Sequence, residues 1–200
     1  WYSPQAGGAA MPVTHYVFPD WWDDSAVNFA KTVPMLDLFA PAFGEYPFVA
    51  EKYGHAHFLW GGGMEHQTLT SIKGWWEDGV SHELAHQWFG DAVTCADFGH
   101  IWLNEGFATW AEAFWMEHSR HFEMYQLYME LAAYYGEGTI LVEDPLSEPI
   151  FDHNLSYNKA SWVVHMLRHQ LGDATFFAGL RAYLAAQAYG TATTEQFRDA

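Results

Sequence analysis

The 200-residue sequence is short of cysteine, of basic side chains and of long apolar runs. Cys95 is the only cysteine, so no disulfide can close within the chain, and a zinc site built from several thiolates is excluded. Lys and Arg number 8 against 25 Asp and Glu, a formal net charge of -17. Nucleic-acid binders draw their affinity from Lys and Arg on phosphate, so that class of partner is excluded, as is adhesion to anionic membrane surfaces. The acidic excess reads as a solvated surface that favours solubility. No stretch reaches the ~18 consecutive apolar residues of a membrane-spanning helix. Half of the residues are nevertheless hydrophobic, enough for a sizeable core, and there are 12 histidines. Any bound metal must therefore be held by His and carboxylates. The chain opens on Trp1 and stops at Ala200 inside an apparent helix, which is expected of a piece of a longer protein.

Residues 11–18 alternate as a short strand. Residues 24–39 read as a helix capped by Asp24 or Ser25 and kinked at Pro34, and 43–48 as a turn into a strand. Residues 55–60 and 64–72 read as two strands joined by Gly61-Gly62-Gly63, a backbone that other groups can approach closely. The pattern then turns helical. One helix runs from Asp78 or Ser81 to Phe89, before Gly90; others cover 103–119, 122–135, 156–171 and 174–188. Residues 136–154 form a loop, and Thr193 with Gln196 is a capping box for a last helix. Strands first and helices after predict an α+β fold, with a sheet-containing lobe over about 1–73 and a helical lobe over about 74–200.

The central motif is His82-Glu83-Leu84-Ala85-His86. Two His four residues apart on a helix differ by about 40° in direction and ~6 Å in rise, so both imidazoles reach one ion from one face. Glu105, nineteen positions after His86, opens the next predicted helix, and a helix hairpin brings it back as third ligand. Two His and one Glu leave a fourth position for water, as a catalytic Zn2+ requires. Glu83 lies about 100° round the helix from His82, unsuited to bind the same ion but placed to take a proton from the water and pass it to a leaving amine. Glu112 falls two turns beyond Glu105 on the same face. It is placed to accept the second N–H of a ligand His, or else it is a solvated surface carboxylate.

The segments His82-Glu83-Leu84-Ala85-His86-Gln87-Trp88-Phe89-Gly90-Asp91 and Trp102-Leu103-Asn104-Glu105-Gly106 resemble the gluzincin aminopeptidases of the aminopeptidase N type. Gly62-Gly63-Met64-Glu65-His66 is similar to that family's Gly-x-Met-Glu-Asn exopeptidase motif, and Tyr157-Asn158-Lys159-Ala160 to its Tyr-x-Lys-Gly segment. The resemblance covers residues 62–160. It implies that residues 1–200 form a thermolysin-like catalytic domain, with a small mixed sheet lobe above a helical lobe and one catalytic Zn2+ in the cleft. It implies peptide substrates with a free N-terminus bound along Gly62, Gly63, Met64 and Glu65, and Tyr157 as hydroxyl donor to the oxyanion. It also implies flanking domains in the same longer chain. Three positions depart from the family pattern: His66 replaces Asn, Phe98-Gly99-His100 replaces an aromatic-Asn-Asp stretch, and Ala160 replaces Gly. His100 and Lys159 read as structural, and His55 and His57 as ordinary strand residues. An endopeptidase would have no use for Glu65, and a scaffold domain would be expected to lose Glu83, a ligand or Tyr157.

Overall fold

In the computed structural model, which describes residues 1–73 and 76–200, the first part of the chain builds a four-stranded mixed sheet. Its strands are β1 (Val13–Tyr16), β2 (Tyr53–Ala56), β3 (Gly63–Met64) and β4 (Thr70–Ile72), in the order β1-β2-β4-β3. β1, β2 and β4 run parallel, and β3 closes one edge antiparallel to β4, with Met64 opposite Ser71. The strand expected over 55–60 lies earlier. Tyr53, Gly54 and His55 are buried between neighbours, whereas Leu59 and Trp60 are exposed beyond the sheet. The strand expected over 64–72 is two strands, because the chain turns between them: Leu69 N–H donates to the His66 carbonyl, and Thr68 takes a φ of 63°. Near residue 48 successive turns replace the expected strand, with Val49 N–H bonded to Tyr46 and Glu51 N–H to Phe48.

The helix expected over 24–39 is likewise two, α1 (Trp22–Phe29) and α2 (Thr32–Phe43). Neither Asp24 nor Ser25 caps it; the residue before α1 is Trp21. Pro34 lies in the first turn of α2, where its missing donor is harmless, and the expected helix is interrupted at Ala30, the carbonyl that Pro34 has no N–H to reach.

The remaining helices are α3 (Glu77–Ala85), α4 (Trp102–Ser119), α5 (Phe122–Leu131), α6 (Ala160–Leu171), α7 (Asp173–Gln187) and α8 (Thr194–Arg198). α3 starts after Trp76, upstream of the expected caps Asp78 and Ser81. A seven-residue π-helical turn, His153–Lys159, precedes α6 where an ordinary helix was expected; the Asp152 carboxylate caps it, accepting from Asn154 and Leu155 N–H. The capping box at Thr193 forms with both of its hydrogen bonds. Strands do not all come first: β5 (Val93–Cys95) and β6 (Gly190–Ala192) pair in parallel, tying the segment after α3 to the end of α7. At three residues each they lack a readable alternation.

α4 is buried along almost its whole length, and α3, α5 and α6 pack around it. Aromatic rings dominate the core. Phe89 stacks on Phe107 with centroids 4.4 Å apart, Trp110 on Phe114 at 5.2 Å, and Phe39, Phe43 and Trp88 close the layer beneath. Burying each such side chain contributes roughly 1.5–3 kcal/mol. α4 is thus a rigid floor beneath α3. At Gly106 a Cβ would overlap Ala160, so this glycine is what lets α4 approach the start of α6. Among the described residues no helix is long and apolar enough to cross a membrane.

Candidate active site

The site is built where α3 lies across the first turns of α4. The Ser81 hydroxyl donates to the Ala111 carbonyl and joins the two helices. The Asn104 side-chain oxygen accepts from Cys95 N–H, pinning the start of α4 to β5 and so fixing its neighbour Glu105. The outcome is a cluster of His82, His86 and Glu105, the one such group of three His or acidic side chains among the described residues. His82 Nε2 and His86 Nε2 are 3.1 Å apart, and Glu105 Oε2 is 3.4 Å from the first and 3.3 Å from the second.

These separations bear on whether the group fits a metal. Ligands at the 2.0–2.1 Å of zinc–nitrogen bonds, arranged tetrahedrally, stand about 3.3 Å from one another. The tautomers agree. His86 Nδ1 is 2.9 Å from the Phe89 carbonyl and His82 Nδ1 is 2.7 Å from Glu112 Oε1. Both partners are acceptors, so each Nδ1 carries the proton and each Nε2 turns a lone pair toward the other. Two lone pairs and a carboxylate oxygen converging out of water call for a cation. Without one they call for protons: burial disfavours charged imidazoles, but Glu105 and Glu112 hold His82 well above its ordinary value, and Glu105 lifts His86 to about 9. Glu105, despite its burial, is held well below the usual carboxylate range by the two His.

Glu83 occupies the neighbouring face of α3. It is buried, and its Oε2 has no hydrogen-bond partner among the described residues. Burial pushes its pKa up to about 7; the two His oppose this, and the charges of Glu65 and Glu105 add to it. A Cβ at Gly63 would overlap Glu83, so the glycine lets the edge strand β3 close over this carboxylate. Beside it opens a cavity of about 580 Å³ lined by Gly62, Gly63, His82, Glu83, Thr109 and Tyr157, among others. The π-helical turn sets the Tyr157 ring over His82, centroids 6.2 Å apart and nearly parallel. Burial and the nearby Glu105 hold the phenol above its ordinary value, so it stays a donor at neutral pH.

Met64 is exposed on β3, the last strand of the sheet among the described residues, and Glu65 follows directly. Sequence reasoning missed what holds this segment. Gln87, fully buried, donates from Nε2 to Asp91 Oδ2 at 2.7 Å and to the Glu65 carbonyl at 3.4 Å, and accepts at Oε1 from Thr68 N–H and the Tyr46 hydroxyl. Burial raises Asp91 to about 7, His86 opposing and the charges of Glu65 and Glu83 adding. The only available signal was two polar letters, Gln87 and Asp91, in an otherwise aromatic stretch.

Other singled-out residues lie outside the cluster. His100 Nδ1 accepts from Thr194 N–H at 3.2 Å and also bonds the Thr194 hydroxyl. Lys159 donates to the carbonyls of Gly136 and Gly138, latching the preceding loop. His55 and His57 join no metal cluster; His55 pairs with His15, and His57 with Ser25. His66 Nδ1 bonds the Ser71 hydroxyl at the sheet edge.

Residues 64–200 match the Peptidase family M1 domain, and the chain belongs to that family. It is similar to Aminopeptidase M1-A of Oryza sativa subsp. japonica, 42% identical over 128 residues, which is 58% of this chain and 14% of that protein. An M1 zinc metallopeptidase from Deinococcus radiodurans, solved as a mutant bound to a Tyr-Ser-Ala substrate, superposes with a TM-score of 0.73 at 29% identity, over 94% of this chain and 41% of that one. The leukotriene A4 hydrolase of Saccharomyces cerevisiae shares the fold, with a TM-score of 0.80 at 22% identity over 94% of this chain and 34% of that one. The α+β class is thus the family's own, and zinc is the metal that its solved members name. The chain spans about 14% of the length of the rice relative.

Proposed function

We propose that this chain is the catalytic domain of a zinc-dependent aminopeptidase that hydrolyses the N-terminal bond of peptides. In this reading the sheet lobe over 1–73 and the helical lobe over 74–200 flank the substrate, as in thermolysin-like domains. The observation that carries it is the placement of Glu65, directly after the edge strand β3, its carbonyl bonded by Gln87 in the turn where α3 ends at His86. An edge strand offers unpaired backbone groups to an extended peptide. A carboxylate at its end binds a protonated α-amine by charge-assisted hydrogen bonds. A peptide interior brings no cation there, so chain ends are selected.

His82, His86 and Glu105 would hold the zinc, with Glu112 and the Phe89 carbonyl orienting the imidazoles. When bound, the ion supplies Lewis acidity to a water and to the scissile carbonyl. Glu83 takes the proton of the attacking water and delivers it to the leaving amine; the pKa near 7 suits a group that must both accept and donate. Tyr157 donates its hydroxyl proton in a hydrogen bond to the oxyanion as charge develops.

The test is Glu65→Ala in the zinc-loaded, full-length enzyme, assayed on a free-amine tripeptide and on its N-acetylated form. kcat/KM for the free amine falls at least about tenfold, while the weak N-acetyl activity changes much less. An equal fall on both would remove the aminopeptidase assignment.

A further inference from the structure

The turn that follows Glu65 is held in a conformation it would not choose. Thr68 has a φ of 63°, and among the described residues only Tyr189 shares positive φ without being glycine. For a β-branched residue the left-handed region is a steric outlier, kept only where the surroundings over-determine it. Those surroundings are specific. Thr68 N–H donates to Gln87 Oε1 at 2.9 Å; its carbonyl and hydroxyl accept from Lys52 Nζ at 3.2 and 2.8 Å. Gln87 in turn cannot rotate. A backbone N–H is only a donor, so Oε1 must face Thr68, and Nε2 then faces the Asp91 carboxylate and the Glu65 carbonyl. Gln87 stands next to the metal ligand His86 on a chain segment where Asp91 N–H also bonds the His86 carbonyl. One buried amide therefore grips both ends of the segment Glu65–Thr68 and anchors it to the turn that follows the ligand-bearing helix α3.

We propose that Gln87 is a positioning residue for the amine of the substrate: it holds the strained Thr68 turn so that Glu65 faces the metal cluster at a fixed distance. Gln87 touches neither substrate nor metal and acts through Glu65. The inference rests on the reading of Glu65 as the amine anchor. Displacement of a positioned group by about 1 Å can cost ~10²-fold, so loosening this clamp shows chiefly on substrates whose amine Glu65 must meet.

The experiment is a double-mutant cycle of Gln87→Ala and Glu65→Ala in the full-length zinc-loaded enzyme. It uses the free-amine tripeptide and its N-acetylated form, with zinc content and Tm measured alongside. Gln87→Ala is expected to retain zinc, raise KM for the free amine and lower its kcat/KM about tenfold or more, with less than about threefold change on the N-acetyl form. The double variant should lose little beyond Glu65→Ala alone. Multiplicative losses, or equal losses on both substrates, overturn the proposal. If Glu65→Ala itself fails to discriminate, the reading of Glu65 falls first; if it discriminates and Gln87→Ala does not, only the clamp falls. Should Gln87→Ala fail to fold, Lys52→Met releases the same Thr68 from a half-buried position. A free-amine-selective loss of about threefold or more supports the clamp, and a symmetric loss or none overturns it.

Discussion

Glu112 Oε1 lies 2.7 Å from His82 Nδ1, two helical turns along α4 from Glu105, whose own carboxylate faces the opposite nitrogen of the same ring at 3.4 Å. One helix thus supplies both a candidate metal ligand and the acceptor that sets the tautomer of another. Because the Glu112 bond commits the ring proton to Nδ1, its loss frees the imidazole to turn and to protonate at Nε2. Glu112→Ala is expected to weaken zinc affinity by about 10–100-fold, and Glu112→Gln, which keeps an acceptor oxygen, by less. Competition with a chelator of known affinity measures this directly. Unchanged affinity in Glu112→Ala would leave Glu112 a surface carboxylate.

On the proposed mechanism, Glu83 separates metal binding from turnover. Its Oε2 has no hydrogen-bond partner among the described residues, and its carboxylate contacts the edge strand at Gly63. Glu83→Gln preserves shape and removes the base, so zinc content should be unchanged while kcat drops about 10²–10⁴-fold. Near-normal kcat in a zinc-replete variant would assign the proton transfer elsewhere.

The Tyr157 hydroxyl stays protonated because burial and nearby carboxylates disfavour phenolate. An oxyanion exists only after attack, so a donor to it stabilises the transition state more than bound substrate. Tyr157→Phe should therefore lower kcat by more than it raises KM. Unchanged kcat with weaker binding would make Tyr157 a substrate-positioning group.

How much of this was legible beforehand depends on the range of the interaction. The His82/His86 pair could be read because helix rise alone aligns residues four apart, and Glu112 because seven residues bring a side chain back to the face of Glu105. The α+β class followed from the change from strand to helical patterning after residue 72. Elements decided by tertiary contacts were not readable. Thr68 breaks the strand expected over 64–72 because Gln87 and Lys52 bind its backbone, and nothing local in Gln67-Thr68-Leu69 announces a turn. β5 and β6 form because residues 93–95 and 190–192 meet across the fold. The π-helical turn under Tyr157 depends on the Asp152 cap, where only a start near Ser156 could be read.

The sheet carries a second histidine group with a different consequence. Register places His15 on β1 opposite His55 on β2, and their Nδ1 atoms lie 2.9 Å apart. Both rings stack on Phe29 of α1, at 4.9 and 4.4 Å between centroids. His55 Nε2 is buried without a hydrogen-bond partner among the described residues, and His57, just past the end of β2, bonds Ser25. Such a site accepts neutral rings and rejects imidazolium. Burial lowers His15 from 6.5 to about 4, and burial with the neighbouring His15 and His57 takes His55 well below its ordinary value. The sign of the linkage follows. Between about pH 6.5 and 4 the unfolded chain binds protons that the folded chain refuses, so stability is full above pH 6.5 and falls as pH drops through this window. For His15 the loss approaches roughly 1–3 kcal/mol at its lower end. In a protein of this size that corresponds to a Tm decrease on the order of 5 °C. His15→Phe keeps the stack on Phe29 and removes one titrating ring. The Tm drop from pH 7 to pH 4.5 should then be smaller in His15→Phe than in the wild type by several degrees. Titration of His82, His86 and Glu105 contributes equally to both proteins and cancels in the comparison. Parallel Tm–pH curves for the two proteins would show that the His15–His55 pair already carries its proton in the folded state.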